Sequence, residues 1–258
     1  MNLLNFLKLP ETKNITDLDH PSTTLLHAQI IQRKSILKKL YIDFYTQFQK
    51  SAASLPAPRV LIELGSGGGF IKKVIPDAIT TEIILLPHID IQCSALRLPF
   101  RADSVDVFFL LDVLHHVPDA DLFFTEIMRC LKIDGKAVMI EPANTLWSRW
   151  IYQNFHHEPF DLKTGWALTS SGPLSHSNIA LPWIIFYRDR QIFENKFPRL
   201  EIARLDVHTP FRYLISGGLS FKQLLPSFTY PVIQGLENIL SPLNKHLGMF
   251  MTIELKKR

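Results

Sequence analysis

The first half of the chain alternates between amphipathic segments and short aliphatic runs. Apolar side chains recur every four or seven residues over 22–50, which predicts an amphipathic helix. The two prolines of 54–59 end this helix. Nearly continuous apolar runs follow at 60–64, 78–86 and 104–114. Such runs are typical of parallel strands that are covered on both faces.

Helical patterns separate these apolar runs. The segment "FIKKVI" at 70–75 predicts one short helix, which Pro76 ends. A second helix is predicted from Pro118 to the Asp-Gly turn at 134–135, and the strand "KAVMIEP" follows directly. This alternation of strand and helix with short connections predicts an α/β fold with a doubly wound parallel sheet.

The pattern changes after Glu141. Residues 142–198 are rich in Trp, Phe, His and Pro and predict an irregular insertion, and strand patterns return at 199–207 and 248–255. The segment 211–228 places two glycines between apolar arms, which predicts a buried helix pair. A groove for a ligand or a contact with a membrane surface is the alternative interpretation of that segment.

Composition narrows the class of protein. The 258 residues are 47% hydrophobic and 20% charged, so a sizeable buried core is expected. A formal net charge of +4 is too weak to indicate nucleic-acid binding. Cys93 and Cys130 have no metal-binding spacing, and we expect them to be reduced and inert. The first residues lack signal-peptide features and no run of about 18 apolar residues occurs, so a cytoplasmic location is expected.

The segment "VLIELGSGGGF", residues 60–70, places four glycines directly after a predicted strand. Such a turn lets a ligand approach backbone N–H groups closely. The dinucleotide pattern would require a third glycine where the chain has Phe70 or Lys72. Glu63 precedes the turn, where a carboxylate repels a pyrophosphate and attracts a cation. The candidates for ligand contact are Glu63, Gly65, Ser66, Gly67 and Gly69.

The spacing Glu63-x-Gly65-x-Gly67-x-Gly69 resembles the first motif of the Rossmann-like, class I methyltransferases that depend on S-adenosylmethionine (SAM). SAM carries a sulfonium and an ammonium group and no phosphate, so the charge argument and the resemblance agree. The stretches 95–117 and 129–142, which include "LPF" and "DVLHH", resemble later strands of the same family.

The resemblance implies a doubly wound, mostly parallel seven-stranded sheet. It places an N-terminal helical extension at 1–58 and the SAM-binding methyltransferase domain at 59–258. The irregular insertion after strand five, 142–198, would then lie on the side of the methyl acceptor.

The resemblance also implies further cofactor contacts. Glu82 lies 19 residues after Glu63, where the family has an acidic residue that accepts hydrogen bonds from the ribose hydroxyls. The family often has Asp before the alanine that corresponds to Ala95, as a contact to the adenine amino group. Ser94 stands there and is a weaker acceptor. Asp112 is predicted at the end of strand four and is expected to face the cofactor.

Two histidines are candidates for a general base. His115 could line the acceptor site, although its block occurs in methyltransferases of unlike substrate, which favours packing or cofactor contact. His157 lies in "HHEPFD" at 156–161, which could hold a base and its orienting carboxylate. A solvated loop is the alternative. Metal binding by this cluster is a lesser alternative, because adjacent histidines rarely point the same way on one element, and no metal site is predicted.

The function implied by the resemblance is SAM-dependent methylation of a small-molecule, glycan or lipid-linked acceptor at oxygen or carbon. The Asn/Asp-Pro-Pro-aromatic motif of enzymes that methylate nucleic-acid amino groups is missing after strand four. The aromatic insertion would select the acceptor, because variable segments on a constant scaffold usually do. The alternatives are a non-catalytic SAM-binding module and a nucleotide-dependent oxidoreductase, which the glycine spacing disfavours. The sequence does not indicate an oligomeric state.

Overall fold

The seven-stranded sheet is the centre of the fold. The computed structural model describes residues 6–13, 15–156, 158–168, 172 and 174–258. The strands are β1 (Leu61–Glu63), β2 (Ile79–Glu82), β3 (Ile91–Gln92), β4 (Val105–Leu111), β5 (Leu131–Pro142), β6 (Leu200–His208) and β7 (Phe250–Lys257).

Helices cover both faces of the sheet. The α-helices are α1 (Pro21–Arg33), α2 (Ser35–Ala53), α3 (Ala120–Cys130), α4 (Leu146–Phe155), α5 (Leu181–Trp183), α6 (Arg190–Lys196), α7 (Arg212–Ser216), α8 (Tyr230–Ile239) and α9 (Asn244–Leu247). Single turns of 3-10 helix lie at Pro10–Thr12, Ile71–Lys73, Leu114–His116, Ser227–Thr229 and Ser241–Leu243, and a π-helical turn lies at Ile184–Arg188.

The strand order is β3-β2-β1-β4-β5-β7-β6. Parallel pairing joins β1 to β2 and β4, β2 to β3, and β4 to β5. Strand β7 pairs in antiparallel with both of its neighbours, β5 and β6. The predicted mostly parallel, doubly wound sheet is therefore confirmed. The order reverses at β1 and β4, so a crevice is expected outside their carboxyl ends.

Two apolar layers hold the helices to the sheet. On one face α2 packs on the central strands, where Phe48 stacks on Phe109 at a ring distance of 5.1 Å. On the other face Phe124 of α3 contacts Phe186 and Phe193 from the segment after residue 180. Helix α2 of the N-terminal extension thus shares the core of the sheet.

Two predicted helices differ from the observed ones. The helix expected over 22–50 is divided at Lys34, whose backbone is extended and whose ammonium group turns inward to the carbonyls of Gly218 and Phe221. The helix expected at 70–75 is a single 3-10 turn. Pro76 leaves too few residues for an α-helix there, so the prediction of a helix N-terminus behind the glycine turn was wrong.

Later segments differ as well. The helix expected to end at the 134–135 turn ends at Cys130, and β5 begins at the next residue. Part of the insertion at 142–198 is helical, in α4 to α6. The helix pair expected at 211–228 was wrong, because Gly217 and Gly218 adopt left-handed φ angles of 74° and 50° and end α7.

Candidate active site

A cavity of about 1820 Å³ lies at the carboxyl ends of the parallel strands. Pockets for one drug-sized ligand usually measure about 300–1,000 Å³, so this cavity has room for two molecules. All nine residues predicted to contact the cofactor line it, together with His115: Glu63, Gly65, Ser66, Gly67, Gly69, Glu82, Ser94, Ala95 and Asp112.

Four carboxylates occupy the ends of four parallel strands. Glu63 is the last residue of β1, and Glu82 is the last residue of β2. Asp112 directly follows β4, and Glu141 is the penultimate residue of β5. The sequence interpretation did not select Glu141. An acidic residue at the end of an apolar strand was the available signal, the same one that marks Glu63.

The glycine turn is tightly confined. Gly65 and Gly67 have left-handed φ angles of 67° and 45°, which side chains rarely adopt. A Cβ atom at Gly65 would lie 2.7 Å from Val113 Cγ2, and one at Gly69 would lie 2.3 Å from the hydroxyl of Tyr45. A side chain at Gly65 or Gly69 would therefore collide with its neighbours, and the turn lines the cavity.

Glu63 and Ser66 form a polar pocket at the turn. Glu63 Oε2 and Ser66 Oγ are buried and make no hydrogen bond of normal geometry in the described part of the chain, although the hydroxyls of Ser66 and Tyr45 lie near enough to Glu63 to lower its pKa. Burial raises the pKa of Glu63 to about 8, and the nearby Glu82 adds to the rise. The negative charge expected from the sequence is therefore only partly present at pH 7, and a bound cation would restore it.

Glu82 braces the turn from β2. Its Oε2 accepts a hydrogen bond from the Gly67 N–H at 2.8 Å, and its Oε1 accepts one from Ile83 at 2.7 Å. Asp90, the other acid near this strand, is outside the cavity lining. Hydrogen bonds from Lys72 and from the Thr80 N–H hold the pKa of Asp90 at about 2.

Ser94, Ala95 and Asp112 line the cavity beyond Glu82. Ser94 Oγ accepts a hydrogen bond from the N–H of Leu96 at 3.2 Å, so the serine is oriented by its own turn. Asp112 has a left-handed φ of 56°, and its N–H donates to the carbonyl of Ile140. Burial raises the pKa of Asp112 to about 7.

His115 is held between two carboxylates. Its Nδ1 lies 2.8 Å from Glu141 Oε2, and its Nε2 lies 3.5 Å from Glu158 Oε2. Glu141 is fixed in turn, since its Oε1 accepts the N–H groups of Val113 and Leu114. Burial lowers the pKa of His115, but hydrogen bonds to the two carboxylates outweigh it and raise that pKa well above its usual value.

The rest of "HHEPFD" divides between the cavity and a loop. Glu158 and His156 line the cavity, and Glu158 Oε1 lies 3.6 Å from His116 Nε2. Asp161 instead accepts the N–H of Lys163 in a local turn. His157, the second predicted base, lies outside the described residues.

Aromatic side chains of the insertion form the far wall. Trp147, Trp150, Tyr152 and Phe155, all from α4, line the cavity. Tyr152 is anchored by a hydrogen bond of 2.6 Å from its hydroxyl to the carbonyl of Met249. Among the other aromatics of the insertion, Phe160, Trp166 and Trp183 pack in or against the core.

Residues 7–13 and 15–18 of the N-terminal segment form a roof over the cavity that the sequence interpretation missed. Leu9 donates its N–H to the carbonyl of Ser220, and Lys222 donates to the carbonyl of Leu7. Asp19, just after the roof, accepts the N–H groups of Leu174 and Ser175. Because these bonds join segments about 150 to 210 residues apart, no local sequence pattern could indicate them.

Comparison with known proteins places the central segment in a family. Residues 62–139 match the model of a methyltransferase domain. The chain carries a methyltransferase domain. This domain is of the class I, Rossmann-like type, the family whose methyl donor is SAM. The matched residues run from β1 to β5 and include Glu63, Glu82 and Asp112.

Relatives with methyltransferase names match part of the chain. An uncharacterized methyltransferase of Mycobacterium tuberculosis is 29% identical over 108 residues, which cover 36% of this chain and 41% of the relative. One of Mycobacterium leprae is 28% identical over 108 residues and is covered to 39%. The chain thus spans about two fifths of the length of the curated relatives it matches.

The fold resembles that of solved methyltransferases. The crystal structure of a SAM-dependent methyltransferase from Thermotoga maritima superposes with a TM-score of 0.51 at 14% identity. The superposition covers 89% of this chain and 99% of that one. This likeness concerns the fold alone. No helix among the described residues is long and apolar enough to cross a membrane.

Proposed function

We propose that the protein is a SAM-dependent methyltransferase that acts on an apolar small molecule or a lipid-like acceptor. The observation that carries the proposal is the polar pocket at the glycine turn, where Glu63 Oε2 and Ser66 Oγ are buried and make no hydrogen bond of normal geometry to any described residue. Burying an unpaired carboxyl group is costly, so the pocket is built for a ligand with a positive charge.

The residues at the strand ends fit SAM group by group. Glu63, Ser66 and the glycine turn would hold the charged amino-acid end, and Glu82 would accept the ribose hydroxyls. Ser94, Ala95 and Asp112 would surround the rest of the nucleoside. SAM supplies a methyl group activated by its sulfonium.

The chain's own residues have to align the acceptor and exclude water. The roof and the aromatic wall enclose the cavity, which favours an aligned approach of the acceptor to the methyl group. His115 stays a predicted base. Its hydrogen bonds to Glu141 and Glu158 raise its pKa, which disfavours the neutral form that a general base requires. An activated carbon acceptor would need no such base.

The acceptor class follows from the far wall. Trp147, Trp150, Tyr152 and Phe155 present large apolar surfaces and few polar groups. A glycan would leave its hydroxyls unpaired against such a wall. An apolar or lipid-like acceptor fits better, and methylation at oxygen or carbon suits it.

An exposed apolar patch beside the cavity supports a peripheral membrane contact. Val232, Leu236 and Ile239 lie on one face of α8 and are 72, 48 and 76% exposed, and Phe228 is 77% exposed. Leu224, half exposed near the same segment, also lines the cavity. We propose that this patch rests on a bilayer and admits a lipid-like acceptor. The free cysteines Cys93 and Cys130 favour a cytoplasmic location.

Calorimetric titration with SAM and its demethylated product tests the cofactor. We expect micromolar affinity for both. No binding of either at millimolar concentration would remove the proposal, and stronger binding of NADPH would favour an oxidoreductase. Transfer of a radiolabelled methyl group to lipid extracts then tests the enzyme. Binding without transfer to any extract would favour the non-catalytic SAM-binding module.

Sedimentation with phospholipid vesicles tests the membrane contact. Phosphatidylcholine vesicles with and without phosphatidylglycerol should bind the protein, and the double variant Phe228→Ser, Ile239→Ser should lose most of that binding. Leu85→Ser is the control, because Leu85 is 70% exposed but follows β2, away from α8 in the chain. If the double variant instead halves the molar mass in solution, the patch is a subunit interface and the membrane proposal is wrong.

A further inference from the structure

His115 and His116 have the same orientation relative to their neighbours. The Nδ1 of His115 meets Glu141 Oε2 at 2.8 Å, and the Nδ1 of His116 meets the carbonyl oxygen of His176 at 2.9 Å. A carbonyl oxygen only accepts, so His116 Nδ1 must carry a proton. A carboxylate likewise selects the protonated Nδ1 of His115. Each ring therefore has its Nδ1 occupied and turns its Nε2 elsewhere.

Both Nε2 atoms face the carboxylate of Glu158. The distance from His115 Nε2 to Glu158 Oε2 is 3.5 Å, and that from His116 Nε2 to Glu158 Oε1 is 3.6 Å. The three ligand atoms lie within 4.8 Å of one another. Two ligands of a tetrahedral ion with bonds of about 2.0–2.1 Å lie roughly 3.3 Å apart, so these separations match an ion held between them.

The adjacent rings converge although the 3-10 turn that carries them directs successive side chains about 120° apart. His115 and His116 belong to the turn Leu114–His116, and their ring centroids are 4.3 Å apart. Neighbouring side chains of helices and strands diverge by about 100° or more, and the sequence analysis used this divergence as the argument against a metal at the adjacent His156 and His157. At His115 and His116 the two Nδ1 contacts hold the rings together in spite of it.

We propose that His115, His116 and Glu158 bind a divalent transition-metal ion of the zinc type. Two imidazoles and one carboxylate form the donor set of catalytic zinc sites, which keep a position open. Glu141 and the His176 carbonyl serve as the outer partners that fix metal-binding histidines. Nitrogen ligands disfavour Mg²⁺ and Ca²⁺, which prefer oxygen.

The site opens toward the place where the acceptor would lie. His115, His116 and Glu158 all line the cavity. One carboxylate oxygen each of Asp112 and Glu141 lies within 4.8 Å of a ring nitrogen of His115. Three buried or half-buried carboxylates around one point favour a divalent cation. A role for the ion in holding an electronegative atom of the acceptor rests on the proposed function, but binding of the ion does not.

Metal binding can be measured on the whole protein without SAM or acceptor. After treatment with a chelator, the protein is titrated with Zn²⁺ against a chromophoric competitor and with Co²⁺ in the visible range. We expect one equivalent to bind, with Co²⁺ absorption of a four-coordinate site. Glu158→Gln and His116→Gln should each weaken binding about 100-fold or more. Glu141→Gln should weaken it about 10–100-fold, the usual effect of losing an outer partner.

Two controls keep the result decisive. His246→Gln changes a histidine that is exposed in α9 and should bind Zn²⁺ like the wild type. Thermal unfolding and SAM titration verify that each variant is folded. Zn²⁺ binding that is absent from the wild type, or equal in Glu158→Gln, His116→Gln and the wild type, would overturn the proposal. Loss of Zn²⁺ binding with intact SAM affinity supports it independently of the cofactor site.

Discussion

The two halves of the cavity are built in different ways. The half assigned to the cofactor comes from residues 63–112, at the ends of β1, β2 and β4. The half assigned to the acceptor combines residues 7–13, 15–18, 147–156, 158, 213–224 and 249–250. The first is fixed by the sheet, and the second by contacts between distant parts of the chain. Substitutions in the first half should therefore change SAM affinity strongly, and those in the second only weakly.

The largest effect is expected at the glycine turn. Gly67→Val places a β-branched residue at a φ of 45° in the turn that faces the cavity, so SAM affinity should fall by about 100-fold or more. Calorimetric titration measures it. Gly235→Val is the matched control, because a Cβ atom there meets nothing within 4 Å. Unchanged affinity in Gly67→Val would place the cofactor elsewhere.

The next effect concerns Glu82. Glu82→Ala removes the proposed ribose acceptor and the brace on the Gly67 N–H, so SAM binding should weaken by roughly 1–3 kcal/mol, or about 5–150-fold. Asp90→Asn is the control, because Asp90 does not line the cavity. It should lower thermal stability and leave SAM affinity intact. The reverse outcome for the two acids would assign the ribose to Asp90.

Glu63 should make cofactor affinity depend on pH. Since burial raises its pKa to about 8, binding of a cation below pH 8 must release a proton. SAM affinity should rise up to about tenfold per unit from pH 6 and reach a maximum near 8, where the cofactor's own amino group begins to titrate. Titrations in buffers of different ionisation enthalpy measure the proton release. Glu63→Gln should weaken SAM binding and abolish the proton release that accompanies it.

The same group should oppose stability at alkaline pH. Its folded pKa lies above the ordinary value of 4.5, so the stability that it contributes at low pH is lost as pH rises through about 8. At pH 8 and without SAM, the Glu63→Gln protein should therefore unfold at a higher temperature than the wild type. The rise in Tm should be about 2–4 °C for each kcal/mol gained in the free energy of unfolding. A lower Tm at pH 8 would contradict this account of Glu63.

The smallest effect is expected at the roof. Asp19→Ala removes the acceptor that ties the N-terminal segment to Leu174 and Ser175. We expect SAM to dissociate about two to five times faster, with little change in the association rate. Stopped-flow fluorescence measures both rates. An effect as large as that of Glu82→Ala would make the roof part of the cofactor site.

The sequence was a good guide to the half that the sheet builds. A strand is recognised from its local pattern, and the residue at its end has a fixed place in a parallel sheet, so Glu63, Glu82 and Asp112 could be located before any coordinates. The cofactor roles of these residues stay predictions. The short third strand, Ile91–Gln92, gave too little pattern to be recognised.

The sequence was a poor guide to the acceptor half because the walls of that half are held by hydrogen bonds between segments that are distant in the chain. Nothing near Leu9 indicates a bond to Ser220, and nothing near Glu158 indicates His115 and His116. Local backbone detail was missed for a related reason. The single 3-10 turn at Leu114–His116 carries both histidines, and sequence patterns do not resolve elements of that size.

The reversed direction of β7 has a consequence for synthesis of the protein. Because β7 runs against β5, its first residue, Phe250, pairs with Pro142 at the same edge as the strand ends. Phe250 therefore lines the cavity together with Leu7. A growing chain can form β1 to β5 long before that wall exists, so the cavity closes only after residue 250 has left the ribosome.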